Sequence, residues 1–196
     1  PTPYEHLIQQ ITKAQPTVVF VAYGGVEAQE GEVGLPRFRD GLSKLLDKID
    51  SLGAKSILLS PIPVKYEDVT ANVEKRNANL AVYASAIEKL AAERGKMFID
   101  IYKPIEEMSK KTTILENGVH LNEAGYYYLA EVLEKNLGLD PQPKAVSIAV
   151  TKDNVEAVAT AKMLDADVKK GMLKVTAEER FLPLPCPTNN PSIPTK

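Results

Sequence analysis

TVVFVAY, residues 17–23, is an almost continuous run of β-branched, aromatic and other apolar residues. Two runs of the same kind follow it, KSILLSPI at residues 55–62 and KMFIDIY at residues 96–102. Strands that are buried on both faces of a parallel sheet show such continuous apolarity, rather than an alternation of apolar and polar residues. The three runs therefore predict the strands of a parallel sheet that is covered on both sides.

Amphipathic stretches separate these runs and predict the helices that cover the sheet. The stretch 38–49 places its apolar residues on one helical face, and the stretch from about residue 71 to 94 repeats the pattern and ends before Gly95. Pro104 opens a short helix to about residue 109, and a last helix spans 123–136 with Asn122 as its N-cap. This alternation of strands and helices predicts an α/β layered fold with right-handed crossovers.

The character of the sequence changes at LDPQPK, residues 139–144, where two prolines in a polar stretch indicate a domain edge. AVSIAVT at 145–151 and MLKVT at 172–176 predict strands, and NVEAVATAKMLD at 154–165 predicts a helix between them. The tail from residue 181 carries five prolines and is expected to be extended. We expect an α/β domain over residues 1–139 and a small β-containing appendage over 140–196.

Composition excludes several classes of function. The chain has 196 residues, a formal net charge of −2 and 44% hydrophobic residues, which is ordinary for a globular protein. The charge argues against a nucleic-acid or anionic-membrane partner held by bulk electrostatics. No apolar run approaches the roughly 20 residues of a membrane helix. One cysteine, Cys186, excludes an internal disulfide and a cysteine-based zinc site, and the compartment stays open.

His120 is the principal catalytic candidate of the two histidines. His6 lies in an amphipathic N-terminal helical pattern, which indicates a structural residue. His120 lies in ENGVHLNEAGYYYL, on a glycine-containing loop directly before a helix. The partial positive charge of a helix N-terminus favours the neutral imidazole, the form that accepts a proton. The alternative is a loop histidine that is bonded to the local backbone.

A second candidate site follows the first predicted strand, in AYGGVEAQEGEVGLPRF at residues 22–38. Ligands of open α/β sheets bind at the carboxyl ends of the strands, and Gly24 and Gly25 would let the backbone approach a ligand closely. The spacing matches neither a dinucleotide loop nor a phosphate-binding P-loop. An ordinary glycine turn at the end of a strand is the alternative.

The loop also carries three carboxylates, Glu27, Glu30 and Glu32. A metal site or a glycosidase pair would need another acidic group from a different loop. Asp100 and Glu116 are available, but nothing in the sequence brings them to these glutamates. We therefore expect no metal site here.

Four stretches in this order give the chain a resemblance to the SGNH, or GDSL-type, hydrolase family. They are YGGVE at 23–27, GLPRFRDGLSKLL at 34–46, LLSPI at 58–62 and NGVHLNEAGYYYLA at 117–130. The resemblance covers about residues 16–139. It implies a flavodoxin-like three-layer α/β/α sandwich and an esterase with a Ser-His-Asp mechanism that needs no metal or organic cofactor.

The resemblance also implies roles for individual residues. His120 matches the catalytic base, and Gly24 matches the glycine of the oxyanion block. Gly25 and Glu27 follow in that block and are the other expected oxyanion or substrate-binding residues. An exported protein is compatible with the family.

Three features depart from the family pattern. The chain has no GDS block to supply the nucleophilic serine. Val26 stands where the family has the oxyanion asparagine. Asn117 stands where the family has an aspartate three residues before the histidine, and a neutral amide there can favour the wrong tautomer of His120. Glu116 is the adjacent acid that could substitute.

The leading hypothesis is a piece of an ester hydrolase that acts on acyl or acetyl esters, carbohydrate esters among them. In the flavodoxin-like order 2-1-3-4-5, residues 17–23 form the third strand and lie beside a first strand that this chain lacks. We expect a second polypeptide to supply the missing strands and the serine. The alternative is a non-catalytic binding or scaffold module, which Val26 and Asn117 favour. A third possibility, a flavodoxin-like receiver or nucleotide-binding protein, has no phosphate-binding loop in this sequence to support it.

Overall fold

The computed structural model describes residues 2–65, 72–139, 147–150, 155–158, 161–169 and 172–179. The chain divides into two compact units, Pro1–Asn136 and Leu137–Lys196. The predicted boundary after residue 139 stays a prediction, because residues 140–146 lie outside the described part of the chain.

Three parallel strands form the sheet of the first unit, in the order β1-β2-β3. They are β1 (Val18–Val21), β2 (Lys55–Leu59) and β3 (Met97–Ile99). Each predicted strand is thus present in a shorter form. Because the strands are parallel, their carboxyl ends meet at one edge of the sheet, which is where the loops after them gather.

Burial on both faces is confirmed only for the central strand. In β2, the residues from Ser56 to Leu59 are all buried. The prediction is wrong for the outer strands, since Val18 is 44% exposed, Phe20 48% and Met97 39%. Val18 and Phe20 lie on the same face of β1, because side chains alternate along a strand. The described elements leave this face of β1 partly open.

Five α-helices accompany the sheet in the described part of this unit, and a short hairpin of β4 (Leu115–Glu116) and β5 (His120–Leu121) lies between the last two of them in the sequence. They are α1 (Pro3–Ala14), α2 (Leu35–Ser51), α3 (Val73–Glu93), α4 (Tyr102–Lys111) and α5 (Glu123–Asn136). The core joins the apolar faces of α2 and α3 to β1 and β2, and Leu46, Ile49, Leu58 and Tyr83 are fully buried in it. Burial of each such side chain contributes about 1.5–3 kcal/mol. None of the described helices has the length and apolarity to cross a bilayer.

The second unit contains two antiparallel hairpins. The first pairs β6 (Ser147–Val150) with β7 (Val155–Val158), and the second pairs β8 (Ala161–Lys169) with β9 (Met172–Glu179). The two predicted strands of this region are confirmed. The helix predicted over 154–165 is wrong, because the described residues of that stretch lie in β7 and β8. Ala, Met, Leu and Glu favour helices locally, but pairing within the hairpins overrides that weak preference. The predicted extended tail lies outside the described residues.

Candidate active site

His120 lies in a short β-hairpin directly before α5. The hairpin consists of β4 (Leu115–Glu116) and β5 (His120–Leu121), and Glu116 pairs with His120. The Val119 N–H donates to the Glu116 carbonyl (3.2 Å) around a turn whose central residues, Asn117 and Gly118, have φ of 44° and 76°. Asn and Gly adopt this left-handed conformation at the lowest cost, so the Asn-Gly pair favours the turn that presents His120.

The imidazole of His120 is held by Asn117. The ring is exposed, and its Nδ1 lies 3.2 Å from Asn117 Oδ1. An amide oxygen accepts a hydrogen bond, so this orientation of the Asn117 amide suits the tautomer in which the Nδ1–H of His120 is the donor. A general base needs this tautomer. The expectation from the sequence, that this amide can favour the wrong tautomer, stays a prediction, because the same amide turned over would donate to Nδ1.

Glu116 is the acidic group beside this pair. Residues that lie directly opposite in an antiparallel ribbon project to the same face, with Cβ atoms about 4.5–5.5 Å apart. Glu116 therefore shares a face with His120, and its side chain is exposed. Asp100 is occupied elsewhere, because its Oδ1 accepts from the Tyr102 N–H (2.9 Å) at the start of α4. The hairpin thus brings together one amide, one carboxylate and one imidazole.

Gly24 follows β1 and is buried with φ of 107°. A Cβ at this position would lie 3.2 Å from Ile87 Cδ1, which explains why glycine is needed. The Gly24 N–H donates to Glu27 Oε2 (3.0 Å), and its carbonyl accepts from the Ala28 N–H (3.1 Å). The backbone amide predicted for the oxyanion site is therefore held by the side chain of Glu27.

The neighbouring residues of this loop differ in their surroundings. Gly25 is exposed, and a Cβ there would meet no atom within 4 Å. Val26 is 75% exposed and offers no polar side chain. A short 3₁₀ segment, Glu27–Gly34, follows and kinks at Gly31. The structure thus brings Gly24 and Glu27 together and leaves Gly25 open to solvent.

The other acidic residues of the loop are not grouped for a metal. Glu30 forms an ion pair with Arg37. The Tyr83 hydroxyl donates to the Gly31 carbonyl (2.9 Å), and burial, together with the nearby carboxylates of Glu30 and Glu27, raises the pKa of Tyr83 above 10.0. Among the described residues, no three His, Cys, Asp or Glu side chains converge as metal ligands.

Two contacts connect the hairpin to the rest of the first unit. The loop after β2 reaches the hairpin, because the Lys65 N–H donates to the Gly118 carbonyl (2.8 Å). Val119 packs against the core that contains Val21, at the end of β1. Gly24 follows Val21 by three residues, so the Gly24 loop lies at the carboxyl end of β1. The catalytic roles of these residues stay predictions.

Two features of the site were missed from the sequence. Asn77 on α3 bonds both backbone groups of Val64, at 2.8 and 2.9 Å, and so holds the loop that reaches the hairpin. A cavity of about 370 Å³ lies between α1 and α2 beside Glu27, with Tyr4, Leu7 and Phe38 among its apolar walls. Neither depends on a local sequence pattern, because both join residues that are distant along the chain.

Comparison with known proteins places these features in context. The family model of the GDSL-like lipases and acylhydrolases matches residues 3–128. An isoamyl acetate-hydrolyzing esterase of Saccharomyces cerevisiae is 25% identical over 129 residues, which are 61% of this chain and 54% of the yeast protein. The chain thus spans about half the length of this curated relative.

Two solved structures are similar in fold. An acetylxylan esterase from Geobacillus stearothermophilus aligns with a TM-score of 0.57 and 16% identity over 69% of this chain and 65% of that one. A gut microbial diltiazem-metabolizing enzyme aligns with a TM-score of 0.67 and 14% identity over 88% of this chain and 46% of that one. Catalytic mutants of the acetylxylan esterase replace a serine at its fifteenth residue and an aspartate and a histidine three residues apart. The predicted flavodoxin-like α/β fold is confirmed.

Proposed function

The chain belongs to the GDSL-like lipase/acylhydrolase family, and we propose that its His120 is the general base of an ester hydrolase. The observation that carries this proposal is the 3.2 Å contact between His120 Nδ1 and Asn117 Oδ1. We propose the tautomer in which Nδ1–H donates to Asn117 Oδ1, so that Nε2 of the exposed ring can accept a proton. The acetylxylan esterase of similar fold has its catalytic aspartate and histidine at the same spacing of three residues.

The proposed reaction is acyl transfer through a serine. His120 Nε2 takes the proton of the serine hydroxyl as its oxygen attacks the ester carbonyl. The imidazolium then gives that proton to the leaving alcohol, and the acyl group remains on the serine. Water, deprotonated by the same nitrogen, then attacks the acyl carbonyl, and the imidazolium returns the proton to the serine oxygen as the acid leaves.

We propose that Glu116 supplies the charge that Asn117 lacks. Asn117 orients the ring, but a neutral amide stabilises an imidazolium less than a carboxylate does. Glu116 faces His120 across the hairpin. Its carboxylate stabilises the positive charge that the ring carries during acyl transfer. Orientation and charge compensation, which one aspartate provides in a Ser-His-Asp triad, are thus divided between two neighbouring residues.

The oxyanion site in this proposal uses the backbone of Gly24 and Gly25. The Gly24 N–H donates to the Glu27 carboxylate, which occupies the place of an anion. Substrate would displace that carboxylate, and Gly25 would offer its N–H from the exposed side of the loop. Val26 provides no side-chain donor, and the loss of one such donor typically lowers kcat by about 10²–10³. A modest rate is therefore expected.

The serine is proposed to come from outside the described residues. Ser60 follows β2 but is 1% exposed, and its Oγ accepts from the Ile101 and Tyr102 N–H groups (both 2.9 Å). In the part of the chain that the structure describes, β1 pairs with β2 alone. An edge strand with unpaired backbone groups binds a further strand readily. We propose that a second polypeptide segment adds a strand to β1 and carries the serine to His120.

Acyl or acetyl esters, carbohydrate esters among them, are the proposed substrates. The yeast relative hydrolyses isoamyl acetate, and a structural neighbour is an acetylxylan esterase. A non-catalytic binding module is the second candidate, and the specific observations in its favour are Val26 and Asn117 at positions where the family has polar catalytic groups.

Hydrolysis of p-nitrophenyl acetate tests the proposal. The 196-residue chain alone should hydrolyse it no faster than free imidazole. A polypeptide that joins the chain to the segment completing the sheet should be active, and His120→Ala should lower its kcat by at least about 10³-fold. His6→Ala is the matched control, since His6 is the other histidine and lies on α1. Activity that survives His120→Ala would refute the proposed base, and inactivity of the completed protein would favour the binding module.

A further inference from the structure

The loop after β2 is fastened to α3 by one side chain. Asn77 is half-buried, its Oδ1 accepts from the Val64 N–H (2.8 Å), and its Nδ2 donates to the Val64 carbonyl (2.9 Å). A neutral side chain can bind both groups of one residue in this way only if it offers an acceptor and a donor side by side, as a primary amide does. Asn77 therefore fixes the backbone of Val64 in position and in orientation.

The sequence of the loop makes this contact necessary. Pro61 and Pro63 have no N–H to donate, so the segment has few backbone groups with which to form its own turn. The Val64 side chain is buried in the core, 8% exposed. Its backbone polar groups are therefore taken out of water and need partners. Asn77 provides both partners from another element.

Lys65, the next residue, connects the loop to the hairpin that carries His120. The Lys65 N–H donates to the Gly118 carbonyl (2.8 Å), and its Nζ donates to the Ser109 carbonyl (2.6 Å) near the end of α4. Gly118 adjoins Asn117, whose Oδ1 holds His120 Nδ1. The tip of the hairpin is thus attached to the loop by a backbone bond, while Asn122 bonds its base to Thr113 and Ile114.

We propose that Asn77 is a positioning residue for His120, acting through Val64, Lys65 and the Asn117-Gly118 turn. The catalytic consequence rests on the proposed function, whereas the mechanical coupling does not. Without the two hydrogen bonds from Asn77 to the Val64 backbone, Lys65 loses its fixed position and no longer holds the Gly118 carbonyl. Asn117 then no longer keeps the imidazole in one orientation. Asn77 itself touches no reacting atom.

The test compares two asparagine variants on the same helix by NMR. Asn77→Ala removes both hydrogen bonds to the Val64 backbone. Asn72→Ala removes the N-cap of α3, in which Asn72 Oδ1 accepts from the Lys75 N–H (3.2 Å). Asn77→Ala should raise hydrogen exchange of the Lys65 amide roughly tenfold or more and shift the ring signals of His120, and Asn72→Ala should do neither. The chain has only two histidines, so His6→Gln assigns the spectrum.

Two results would overturn the inference. Faster hydrogen exchange of the Lys65 amide with unchanged His120 signals would show that the loop and the imidazole are not coupled. Equal changes in exchange and in the His120 signals for both variants would show general destabilisation of the protein. If Asn77→Ala does not fold, Asn77→Asp, which keeps the acceptor and loses the donor, is measured in the same way. In the completed protein, Asn77→Ala should lower kcat more than it changes KM. Because the NMR signals do not depend on turnover, failure of the esterase proposal would leave this test standing.

Discussion

Gly24 and Gly25 are adjacent, but the structure predicts opposite effects when each is replaced by alanine. Gly24 has φ of 107°, and a Cβ there would lie 3.2 Å from Ile87 Cδ1 and 3.5 Å from Phe38 Cζ. Gly25 does not have a positive φ, and a Cβ on it would meet nothing within 4 Å. Gly25→Ala is therefore the control for Gly24→Ala, because it adds a methyl group to the same loop at a position where the backbone does not require glycine.

The expected magnitudes follow from these contacts. Backbone strain at a positive φ costs a non-glycine residue about 1–3 kcal/mol. The contact with Ile87 adds about 1 kcal/mol, the low end for overpacking, because a small shift of the Cδ1 atom relieves it. Gly24→Ala should lower the free energy of unfolding by about 2–4 kcal/mol. Gly25→Ala should change it by less than about 1 kcal/mol, with stabilisation favoured, because alanine restricts the unfolded chain.

Urea unfolding monitored by circular dichroism measures both variants. With a slope of about 1–3 kcal/mol per molar urea, a loss of at least about 2 kcal/mol in Gly24→Ala should move the midpoint down by at least about 0.7 M, and Gly25→Ala should move it by less than half as much. Equal midpoints for the two variants would refute the described conformation of the loop. In that case the Gly24 amide could not be assigned to an oxyanion site from this geometry.

Three further predictions concern the base, the core and the sheet edge. In the completed protein, Asn117→Asp should raise kcat by roughly tenfold, because a carboxylate that contacts His120 Nδ1 directly stabilises the imidazolium more than Glu116 does from across the hairpin; a lowered kcat in steady-state assays would contradict this. Because burial raises the pKa of Tyr83 above 10.0, the unfolded state loses this proton first, so wild-type stability should fall as the pH rises above that value. Tyr83→Phe should lower the free energy of unfolding by about 0.5–1.5 kcal/mol at neutral pH, because the hydrogen bond to the Gly31 carbonyl is lost. Between pH 9 and 11, the free energy of unfolding of this variant, measured by urea titration, should fall less steeply than that of the wild type. Phe20→Lys should destabilise the chain alone by about 1 kcal/mol, because about half of the Phe20 side chain is already exposed, and should destabilise the completed protein by at least about 2 kcal/mol more, as measured by thermal unfolding of both forms.

Elements fixed by local chemistry could be predicted from the sequence. The last helix has the predicted bounds, because Asn122 Oδ1 accepts from the Gly125 N–H (2.9 Å) and caps it, and such capping involves only neighbouring residues. The continuous apolarity of residues 55–62 correctly predicted the buried central strand. The same pattern in residues 17–23 predicted more burial than β1 has, because the burial of a strand depends on which other elements pack against it, and the local sequence does not contain that information.

Long-range contacts could not be predicted. The hairpin that carries His120 has strands of two residues each, which is too short for an alternation to be visible. Asn77 acts on Val64, which lies 13 residues away, and nothing near Asn77 in the sequence indicates that contact. The spacing of Asn117 and His120, by contrast, lies within one turn and could be recognised directly. The sequence thus singled out His120 as the candidate base, and the structure adds the contact between His120 Nδ1 and Asn117 Oδ1.

The central claim is that His120 serves a serine that lies outside this chain, and labelling with a fluorophosphonate probe tests it most directly. The completed protein is labelled and digested, and the modified peptide is identified by mass spectrometry, with His120→Ala as the comparison. The expected result is one labelled serine outside residues 1–196 and loss of labelling in His120→Ala. A labelled serine within this chain, or labelling that persists without His120, would contradict it.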